Sequence, residues 1–347
     1  METSNPLSDK FFTLPQEEQI ASFTVFAREI LNDYGFGACT LESVNYEFNI
    51  SFCVTDSEGK KFALRININS TRTLANTEAE IAWVNDLQER PGILVGRPVR
   101  IKALTNSPQS SSGFVHQKLH RDSGRLLTAV LLTWVEGEEL EDEPTDEQIL
   151  AMGKTMAHLH DSSSDFNLPA GCELTRFDHP FWGTADCLFH NSSSLPLETK
   201  PLLEKAFTRI TGVVNEMYAV NESNIQIIHA DMHGGNVIWS DERARTGESL
   251  AVIDFDDCGY GLLVQDISIA LYYFDTPEQD ALFLKGYESV RALPKYSEFE
   301  MNSLLLHRRF MLLNYLYETS NQEHQAMIPD YLAETVRRVE KYLAIPK

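Results

Sequence analysis

The stretch of sequence that decides the fold is His229-Ala-Asp231-Met-His233-Gly-Gly-Asn236, followed further along the chain by Ile253-Asp254-Phe255-Asp256. Between these runs, Val237 to Trp239 and Leu250 to Ile253 are apolar segments of β-prone residues. A polar stretch containing Thr246-Gly247 separates the two segments and favours a turn. Two short strands joined by such a turn form a β-hairpin, so the sequence predicts a hairpin directly after the first run.

The predicted hairpin brings possible metal ligands together. In an antiparallel pair, Asn236 before the first strand lies beside Asp254 after the second. Oxygen ligands of this kind suit Mg²⁺, which takes one or two protein groups and completes its octahedron with waters and phosphate oxygens. In an extended segment Asp256 would share a side with Asp254, and Asp257 would face the opposite side. We therefore expect Asp256 to be an auxiliary ligand, because three clustered acids repel one another unless cations or donors neutralise them.

The first run also fits the kinase catalytic-loop pattern H-x-D-x-x-x-x-N. In that pattern the Asp, here Asp231, accepts or orients the proton of an acceptor hydroxyl, and the Asn, here Asn236, binds magnesium. Asp254 would supply the other magnesium ligand, a carboxylate. The sequence thus predicts a phosphoryl-transfer site that works by positioning and charge neutralisation.

These runs resemble the aminoglycoside phosphotransferase and choline kinase superfamily, and within it the homoserine-kinase-like branch. The resemblance covers about residues 40 to 320. Outside the loop it includes the strand that carries a nucleotide-binding lysine, the following helix, the hinge and the helix after the hinge. These segments are Phe62 to Ile66, Glu78 to Leu87, Thr133 to Gly137 and Met156 to His160.

The resemblance implies an α+β, two-lobed, protein-kinase-like fold. We expect an N-terminal accessory helix in residues 1–38 and a nucleotide-binding N-lobe, a small antiparallel sheet with a helix, in 39–135. A larger, mainly helical C-lobe with the catalytic loop and acceptor site is expected in 136–347. Hinge residues Thr133, Trp134 and Val135 would hold adenine through backbone groups. One departure is that Ser43 to Ser51 stands where kinases carry G-x-G-x-x-G.

The residues predict an ion pair near the nucleotide. Two-residue alternation puts Arg65 on the strand face that also carries Lys61. Counting back four residues from Val84 puts Glu80 on the core-facing stripe of the next helix, with Glu78 on the outer side. An acid that faces a core needs a cationic partner, so Arg65 and Glu80 are predicted to pair. The resemblance implies that this Arg replaces a phosphate-anchoring Lys, and Arg can bind phosphate bidentately.

The resemblance also assigns parts to three residues around the loop. His229 would pack beneath the catalytic loop, and we count it with Asp231 among the catalytic residues. His233 would lie near the substrate, and Asp266 near a helix start would stabilise the loop. Neither loop histidine is expected to bind zinc, and the pair His158 and His160 faces different sides of one helix.

Hydrophobic periodicity places the remaining elements. We predict strands at 40–46, 50–54 and 62–68, with a turn at Asp56 to Gly59, and a fully buried strand at 126–135. We predict helices at 15–31 and 74–87, another after the capping box of Thr145 and Gln148, and a helical end of the chain. Those last helices are 262–274, 278–290, 298–317 and 331–343.

Composition excludes several classes of function. The net charge of −22 disfavours a nucleic-acid partner. The longest apolar stretch, Leu126 to Val135, is too short to span a bilayer, and the N-terminus lacks a signal-peptide pattern, so we expect a cytoplasmic protein without a membrane partner.

The five scattered cysteines argue against disulfides or zinc and are interpreted as buried thiols. Eight carboxylates between Glu136 and Glu147 form either a solvated linker or an anionic rim that attracts an amine.

The sequence therefore predicts an enzyme that uses ATP and Mg²⁺ and transfers the γ-phosphoryl group to a hydroxyl of a small, amine-bearing molecule. Aminoglycosides, choline, homoserine and hydroxy amino acids are the acceptor types considered. A Ser/Thr protein kinase of the same fold is the second reading. A catalytically silent nucleotide-binding module is the third, motivated by Arg65 and the absent glycine signature. The acceptor, the choice between ATP and GTP, and the oligomeric state stay open.

Overall fold

The computed structural model describes residues 10–102, 112–140, 144–190, 193–245 and 250–346. Its architecture is α+β, as predicted. By compactness the chain divides into two units. The first runs to Gly137 and includes Phe166–Leu174; the second consists of Glu138–Asp165 and of the chain from Thr175 onward.

The first unit is built on one antiparallel sheet. Its elements are α1 (Gln16–Asp33), β1 (Cys39–Tyr46), β2 (Asn49–Asp56), β3 (Lys61–Asn67), α2 (Leu74–Leu87), β4 (Val115–His120) and β5 (Arg125–Thr133). The strand order is β1-β2-β3-β5-β4, and every neighbouring pair is antiparallel. The strands predicted at 40–46, 50–54 and 62–68 are thereby confirmed.

Alternation in β2 and β3 explains how this sheet acquires a core. Alternate residues of both strands are buried: Ile50, Phe52 and Val54 in β2, and Phe62, Leu64 and Ile66 in β3. The buried residues pack with the apolar face of α1, so the helix predicted at 15–31 shares the core of this unit. Between β2 and β3 the predicted turn is confirmed: Asp56 Oδ1 accepts hydrogen bonds from the backbone of Glu58 and Lys60, both at 2.9 Å. Gly59 there has φ of 82°, a conformation that Gly adopts without steric strain.

Helix α2 begins at the capping box of Thr73 and Asn76. Its burial corrects one expectation, because Glu78 does not face outward: it is 4% exposed, and neither carboxylate oxygen has a hydrogen-bond partner in the described chain. The consecutive residues Thr77 to Ile81 are all buried, so this helix is covered on more than one face. Counting in helical steps from Val84 identifies the face on which Glu80 lies. It does not show whether other parts of the protein pack against the opposite face.

Strand β5 corrects a second expectation. It ends at Thr133, two residues before the predicted end, and Leu126 is 53% exposed. Leu126 lies opposite Leu119 near the end of the β4–β5 ladder. The segment from Leu127 to Leu131 is buried, so only the middle of the predicted strand belongs to the core.

The second unit is mainly helical and carries two small sheets. Its strands are β6 (Glu138–Glu139), β7 (Thr175–Arg176), β8 (Ile225–Ile228), β9 (Val237–Trp239), β10 (Leu250–Val252) and β11 (Gly259–Leu262). Its helices are α3 (Asp146–Asp165), α4 (Lys200–Val220), α5 (Asp241–Ala244), α6 (Leu263–Tyr272), α7 (Pro277–Glu288), α8 (Glu298–Glu318), α9 (Gln322–Ala326) and α10 (Ile328–Ala344). One sheet has the order β10-β9-β6 and the other β7-β11-β8. The helices predicted from periodicity are confirmed.

Helices α3 and α7 pack closely because each presents a glycine at the contact. A Cβ atom added to Gly153 would lie 2.0 Å from the carbonyl oxygen of Phe283, and one added to Gly286 would lie 2.2 Å from that of Leu150. Helix α3 begins at the predicted capping box, in which the Gln148 backbone donates to Thr145 Oγ1 at 3.3 Å. Among the described helices, none has the combination of length and apolar composition that crossing a bilayer requires.

Candidate active site

The run His229 to Asn236 follows β8 directly and is held from below by Asp266 in the first turn of α6. Asp266 Oδ2 accepts a hydrogen bond from the His229 backbone at 3.1 Å, and Oδ1 accepts one from the Ala230 backbone at 2.9 Å. Ala230 has φ of 66°, which is unfavourable for any residue with a Cβ. The two hydrogen bonds stabilise this conformation, so the prediction that Asp266 supports the loop is confirmed.

Asp266 is itself fixed by a buried polar chain. His160 Nε2 lies 3.0 Å from Asp266 Oδ2, and His160 Nδ1 lies 2.8 Å from the hydroxyl of Tyr287. Burial acts to raise the pKa of Asp266, but the hydrogen bond from His160, together with the one from the Ala230 backbone, outweighs it and lowers the pKa. The close packing of α3 on α7 therefore positions the group that shapes the catalytic loop.

His229 lies beneath the loop and joins it to the end of β10. Its Nδ1 accepts a hydrogen bond from the Asp231 backbone at 3.2 Å, so its Nε2 carries the proton and donates to the carbonyl of Ile253 at 3.0 Å. The ring is fully buried and packs on Phe255 at a centroid distance of 4.7 Å. These contacts place His229 as an orienting group under Asp231.

The carboxylate of Asp231 is the centre of the arrangement. Its Oδ1 accepts a hydrogen bond from Arg308 Nη2, and its Oδ2 accepts one from Asn236 Nδ2 at 3.1 Å. His233 Nε2 lies 3.5 Å from Oδ2. Burial acts to raise the pKa of Asp231, but the charge of Arg308 and the contact with His233 outweigh it and hold the pKa at about 2. Asp231 is therefore ionised throughout the physiological range.

Asn236 is oriented so that its oxygen stays available. Its Nδ2 donates to the backbone carbonyl of Asp231 at 2.9 Å as well as to the carboxylate. No hydrogen bond to Asn236 Oδ1 is made within the described ranges. The carbonyl of Asn236 accepts from the Ile253 backbone at 3.0 Å, which joins it to the residue before Asp254. An amide oxygen and a carboxylate are the kind of oxygen donors that Mg²⁺ takes, so Asn236 and Asp254 fit that ion chemically.

The β9–β10 hairpin that produces this arrangement is confirmed, with Val237 opposite Val252. Its predicted turn, Thr246-Gly247, lies outside the described residues. The reasoning about Asp256 and Asp257 was wrong, because the segment is not extended. Asp254 has a left-handed backbone with φ of 60°, and a 3₁₀ turn follows from Phe255 to Asp257. Two-residue alternation does not apply to such a turn, so it says nothing about which acid lies beside Asp254.

The first unit contains the predicted pair of Arg65 and Glu80. Arg65 Nη2 lies 2.5 Å from Glu80 Oε2, and the side chains are 15% and 5% exposed. Lys61, four residues earlier on the strand, lies instead 3.9 Å from Glu136. Arg65, and not Lys61, therefore occupies the position next to the helix acid.

The hinge uses two of its three backbone N–H groups within the first unit. The Thr133 backbone donates to Arg97 at 2.9 Å, and that of Trp134 donates to Lys61 at 3.2 Å. No acceptor for the Val135 N–H lies in the described part of the chain. Of the three residues predicted to hold adenine through backbone groups, Val135 is the one whose N–H is left available.

The sequence profile of the phosphotransferase enzyme family (APH) matches residues 43–299. The chain belongs to this family. It is 35% identical to the amicoumacin kinase of Bacillus subtilis (strain 168) over 98 residues, 24% of this chain and 27% of that protein. It is 25% identical to the hydroxylysine kinase of Bos taurus over 179 residues, 46% of this chain and 45% of that protein. The matches thus span less than half the length of these two relatives.

Solved structures of this family share the fold. A microcompartment-associated aminopropanol kinase superposes with a TM-score of 0.75 at 23% identity, covering 92% of this chain and 98% of that one. An amicoumacin kinase in complex with AMP-PNP and Ca²⁺ superposes with a TM-score of 0.71 at 18% identity, covering 93% and 96%. The predicted kinase-like α+β fold is confirmed by these likenesses.

Sequence reasoning missed the partners that surround Asp231. Arg308 on α8 and Tyr273 after α6 were not among the candidates, nor was the contact of Tyr287 with His160. One signal was present: Arg308 follows the apolar run Leu304 to Leu306 within a helical stretch. A charged side chain in such a stretch is buried only when it has a partner, so a counter-ion elsewhere could have been expected.

The remaining candidates contribute little to the site. Within the described ranges, no group of three or more His, Cys, Asp or Glu side chains is arranged to hold a metal. Of the cysteines only Cys258 is buried, so the interpretation of all five as buried thiols was wrong for four. In the acidic segment Glu136, Glu138 and Glu139 are exposed. Three further acids of that segment lie outside the described residues: Glu141, Asp142 and Glu143.

Proposed function

We propose that this protein is an ATP-dependent phosphotransferase of the homoserine-kinase-like branch, acting on a hydroxyl of a small, amine-bearing acceptor. The observation that carries the proposal is the contact set of Asp231, in which one carboxylate is bonded to Asn236 and held above His229. The residue proposed as base, the amide proposed as metal ligand and the groups that support them lie together. A scaffold protein would have no need of that combination.

In the proposed mechanism, Asp231 orients the acceptor hydroxyl toward the γ-phosphoryl group. An acid whose pKa is about 2 is a weak base and stays ionised as the hydroxyl approaches. Phosphoryl transfer through a loose transition state needs little proton removal early in the reaction, so orientation is the larger contribution. His229, counted at first as catalytic, is here a positioning residue, because it acts on Asp231 through the backbone.

Asn236 Oδ1 and the carboxylate of Asp254 would hold Mg²⁺. The bound ion would neutralise charge on the β- and γ-phosphate oxygens. Because Asn236 Nδ2 is held by Asp231, its amide cannot turn to present nitrogen to the ion. The residue that orients the acceptor thus also orients a metal ligand.

On the nucleotide side, Arg65 would bind the phosphates, and Glu80 would hold its guanidinium in place. The Val135 N–H is the hinge donor that we propose for the purine, with Thr133 and Trp134 stiffening the segment through their bonds to Arg97 and Lys61. The AMP-PNP of the amicoumacin kinase complex supports nucleotide use by this fold.

The names of the related proteins support an amine-bearing alcohol as acceptor. Aminopropanol and hydroxylysine each combine an amino group with a hydroxyl, and kinases of both are among the similar proteins. The net charge of −22 is compatible with a cationic acceptor. The exposed acids Glu138 and Glu139 would add to that attraction.

The test is a coupled ADP-release assay with ATP and Mg²⁺ against amino alcohols, amino sugars, hydroxy amino acids and a generic protein substrate. We expect one small acceptor to stimulate release, and Asp231→Ala to abolish that stimulation while ATP still binds. Stimulation by the protein substrate alone would support a Ser/Thr kinase instead. Nucleotide binding without release in any mixture would support the silent module.

A further inference from the structure

Arg308 has more hydrogen-bonding capacity than its contact with Asp231 uses. It is 8% exposed, and its Nη2 donates both to Asp231 Oδ1 and to the Tyr273 hydroxyl, the latter at 2.7 Å. Its Nε is buried and has no hydrogen-bond partner in the described chain. Its Nη1 makes no hydrogen bond there either. A guanidinium has five N–H donors, so most of this buried group is unpaired.

A role as simple counter-ion to Asp231 does not explain this geometry. Arginine and carboxylate commonly pair through two parallel hydrogen bonds, whereas here Nη2 alone makes the contact with Asp231. The neighbouring Arg309 gives the contrast on the same helix. Its Nε donates to Thr335, and its two terminal nitrogens donate to Tyr272 and Tyr331.

An anion beside the reacting centre would pair with the unused donors. The charge of Asp257 also acts on Arg308, but the hydrogen bonds of Arg308 in the described chain go to Asp231 and Tyr273. Arg308 touches Asp231, the residue proposed to orient the acceptor hydroxyl. The ring of Tyr273 lies 5.5 Å from the guanidinium carbon and 4.8 Å from the ring of His233, so Arg308 is held in place from one side. A carboxylate has the planar, two-oxygen shape that matches a guanidinium fork.

We propose that Arg308 binds a carboxylate of the acceptor, so that the substrates are hydroxy amino acids and not amino alcohols that lack an anionic group. This inference rests on the proposed phosphotransferase function and narrows its acceptor class. Asp231 and the acceptor carboxylate then share one guanidinium, which places the acceptor hydroxyl near the Asp231 oxygens. In a chain with a net charge of −22, such a local cation is what allows an anionic group to enter.

The experiment uses three matched pairs of acceptors whose members differ only in the carboxylate. These are serine with ethanolamine, homoserine with 3-aminopropan-1-ol, and threonine with 1-aminopropan-2-ol. For the productive pair we expect the wild-type kcat/KM to favour the carboxylate member by about 10- to 150-fold, the range of a charge-assisted hydrogen bond. The preference should lie mainly in KM, because the contact exists before the transition state forms.

Three variants test whether Arg308 causes the preference. In Arg308→Gln the ratio of kcat/KM within the productive pair should fall toward one, and Arg308→Lys should keep part of it because the charge remains. Arg309→Lys, on the same helix, should leave the ratio unchanged. A ratio that stays high in Arg308→Gln, or a wild-type preference for the decarboxylated member, would overturn the inference.

The outcomes also separate this inference from the function on which it rests. Phosphorylation of an amino alcohol in preference to its amino acid would keep the phosphotransferase proposal and refute the role of Arg308. Absence of phosphorylation of every small acceptor, with ATP binding intact, would overturn both. If Arg308→Gln does not fold, Arg308→Lys takes its place: a ratio as high as that of the wild type in Arg308→Lys, or no wild-type preference for the carboxylate member of any pair, would overturn the inference.

Discussion

Replacing Asp266 with Asn changes one oxygen of a fully buried carboxylate into an amino group and leaves the side-chain volume almost the same. Asp266 Oδ1 accepts from Ala230, and Oδ2 accepts from His229 and faces His160. Whichever way the new amide turns, at least one backbone N–H loses its acceptor. The loss of a charge-assisted hydrogen bond, together with a buried unpaired donor, destabilises a fold by about 3 to 5 kcal/mol.

The same change should lower turnover, because the loop would lose at least one of the two bonds that stabilise the left-handed backbone of Ala230. Such a conformation costs about 1 to 3 kcal/mol and persists only where its surroundings enforce it. A shift of Asp231 by about 1 Å reduces a rate by about 100-fold. We therefore expect Asp266→Asn to lower kcat by about 10- to 100-fold with little change in the KM for ATP. Coupled ADP release and urea denaturation measure the two effects.

Ala230→Gly is the control that tests the cause. Glycine adopts a positive φ without strain, so it should restore part of the turnover in the Asp266→Asn background and change the wild type little. The coupling between the two changes should be about 1 kcal/mol in a double-mutant cycle. Equal effects of Ala230→Gly in both backgrounds, or full turnover in Asp266→Asn, would refute the view that Asp266 sets the loop conformation.

Four further predictions concern other parts of the molecule. Arg65→Ala should raise the KM for ATP by about 10- to 100-fold, and Arg65→Lys should raise it less because the charge opposite Glu80 remains. Titration with ATP measures both KM values, and an unchanged KM in Arg65→Ala would contradict the phosphate-binding role. Asn236→Ala should raise the Mg²⁺ concentration for half-maximal activity by about tenfold or more, a shift that Mg²⁺ titration would detect. Burial lowers the pKa of His307 to about 4 from its usual 6.5, because the buried ring is costly to charge. The unfolded chain therefore takes up a proton at a higher pH than the native state does. The free energy of unfolding should keep its full value above about pH 6.5 and fall by about 3 kcal/mol as the pH falls to about 4. In His307→Gln the urea midpoint should lose that part of its pH dependence. Gly153→Ala should lower the melting temperature, because its Cβ would meet the Phe283 carbonyl at 2.0 Å, and an unchanged temperature would show that α3 and α7 can separate freely.

The sequence predicted those parts of the site that depend on the regular repeat of side-chain directions along a strand or a helix. The pair of Arg65 and Glu80 followed from alternation along a strand and from a four-residue step along a helix. The meeting of Asn236 with the segment before Asp254 followed from hairpin pairing, which fixes which residues lie opposite. Each of these inferences needs only the regular geometry of one element or of two strands joined by a turn.

Predictions from these repeats were wrong where the backbone departed from regular geometry. They were also wrong where packing by residues distant in sequence determined whether a side chain is buried. Asp254 enters a 3₁₀ turn through a left-handed backbone, so alternation did not describe Asp256 and Asp257. Glu78 lies on the outer side of α2 by the helical period, yet that side is covered too. A period identifies the relative directions of side chains, whereas burial depends on what packs against each direction.

Arg308 shows the limit most clearly, because it lies 77 residues from Asp231 and its neighbours His307 and Arg309 do not indicate which residue it pairs with. The sequence shows that a charge at this position needs a partner, but tertiary structure alone tells which carboxylate is that partner. Once the pair is known, the site has an asymmetry that the catalytic motif does not contain. Asn236 restrains Asp231 on the oxygen beside the proposed metal ligands, and Arg308 restrains it on the other. The motif residues therefore position the oxygen of Asp231 that lies on the side of phosphoryl transfer. Arg308, with its unused donors, lies at the other oxygen, where we expect the protein to distinguish one acceptor from another.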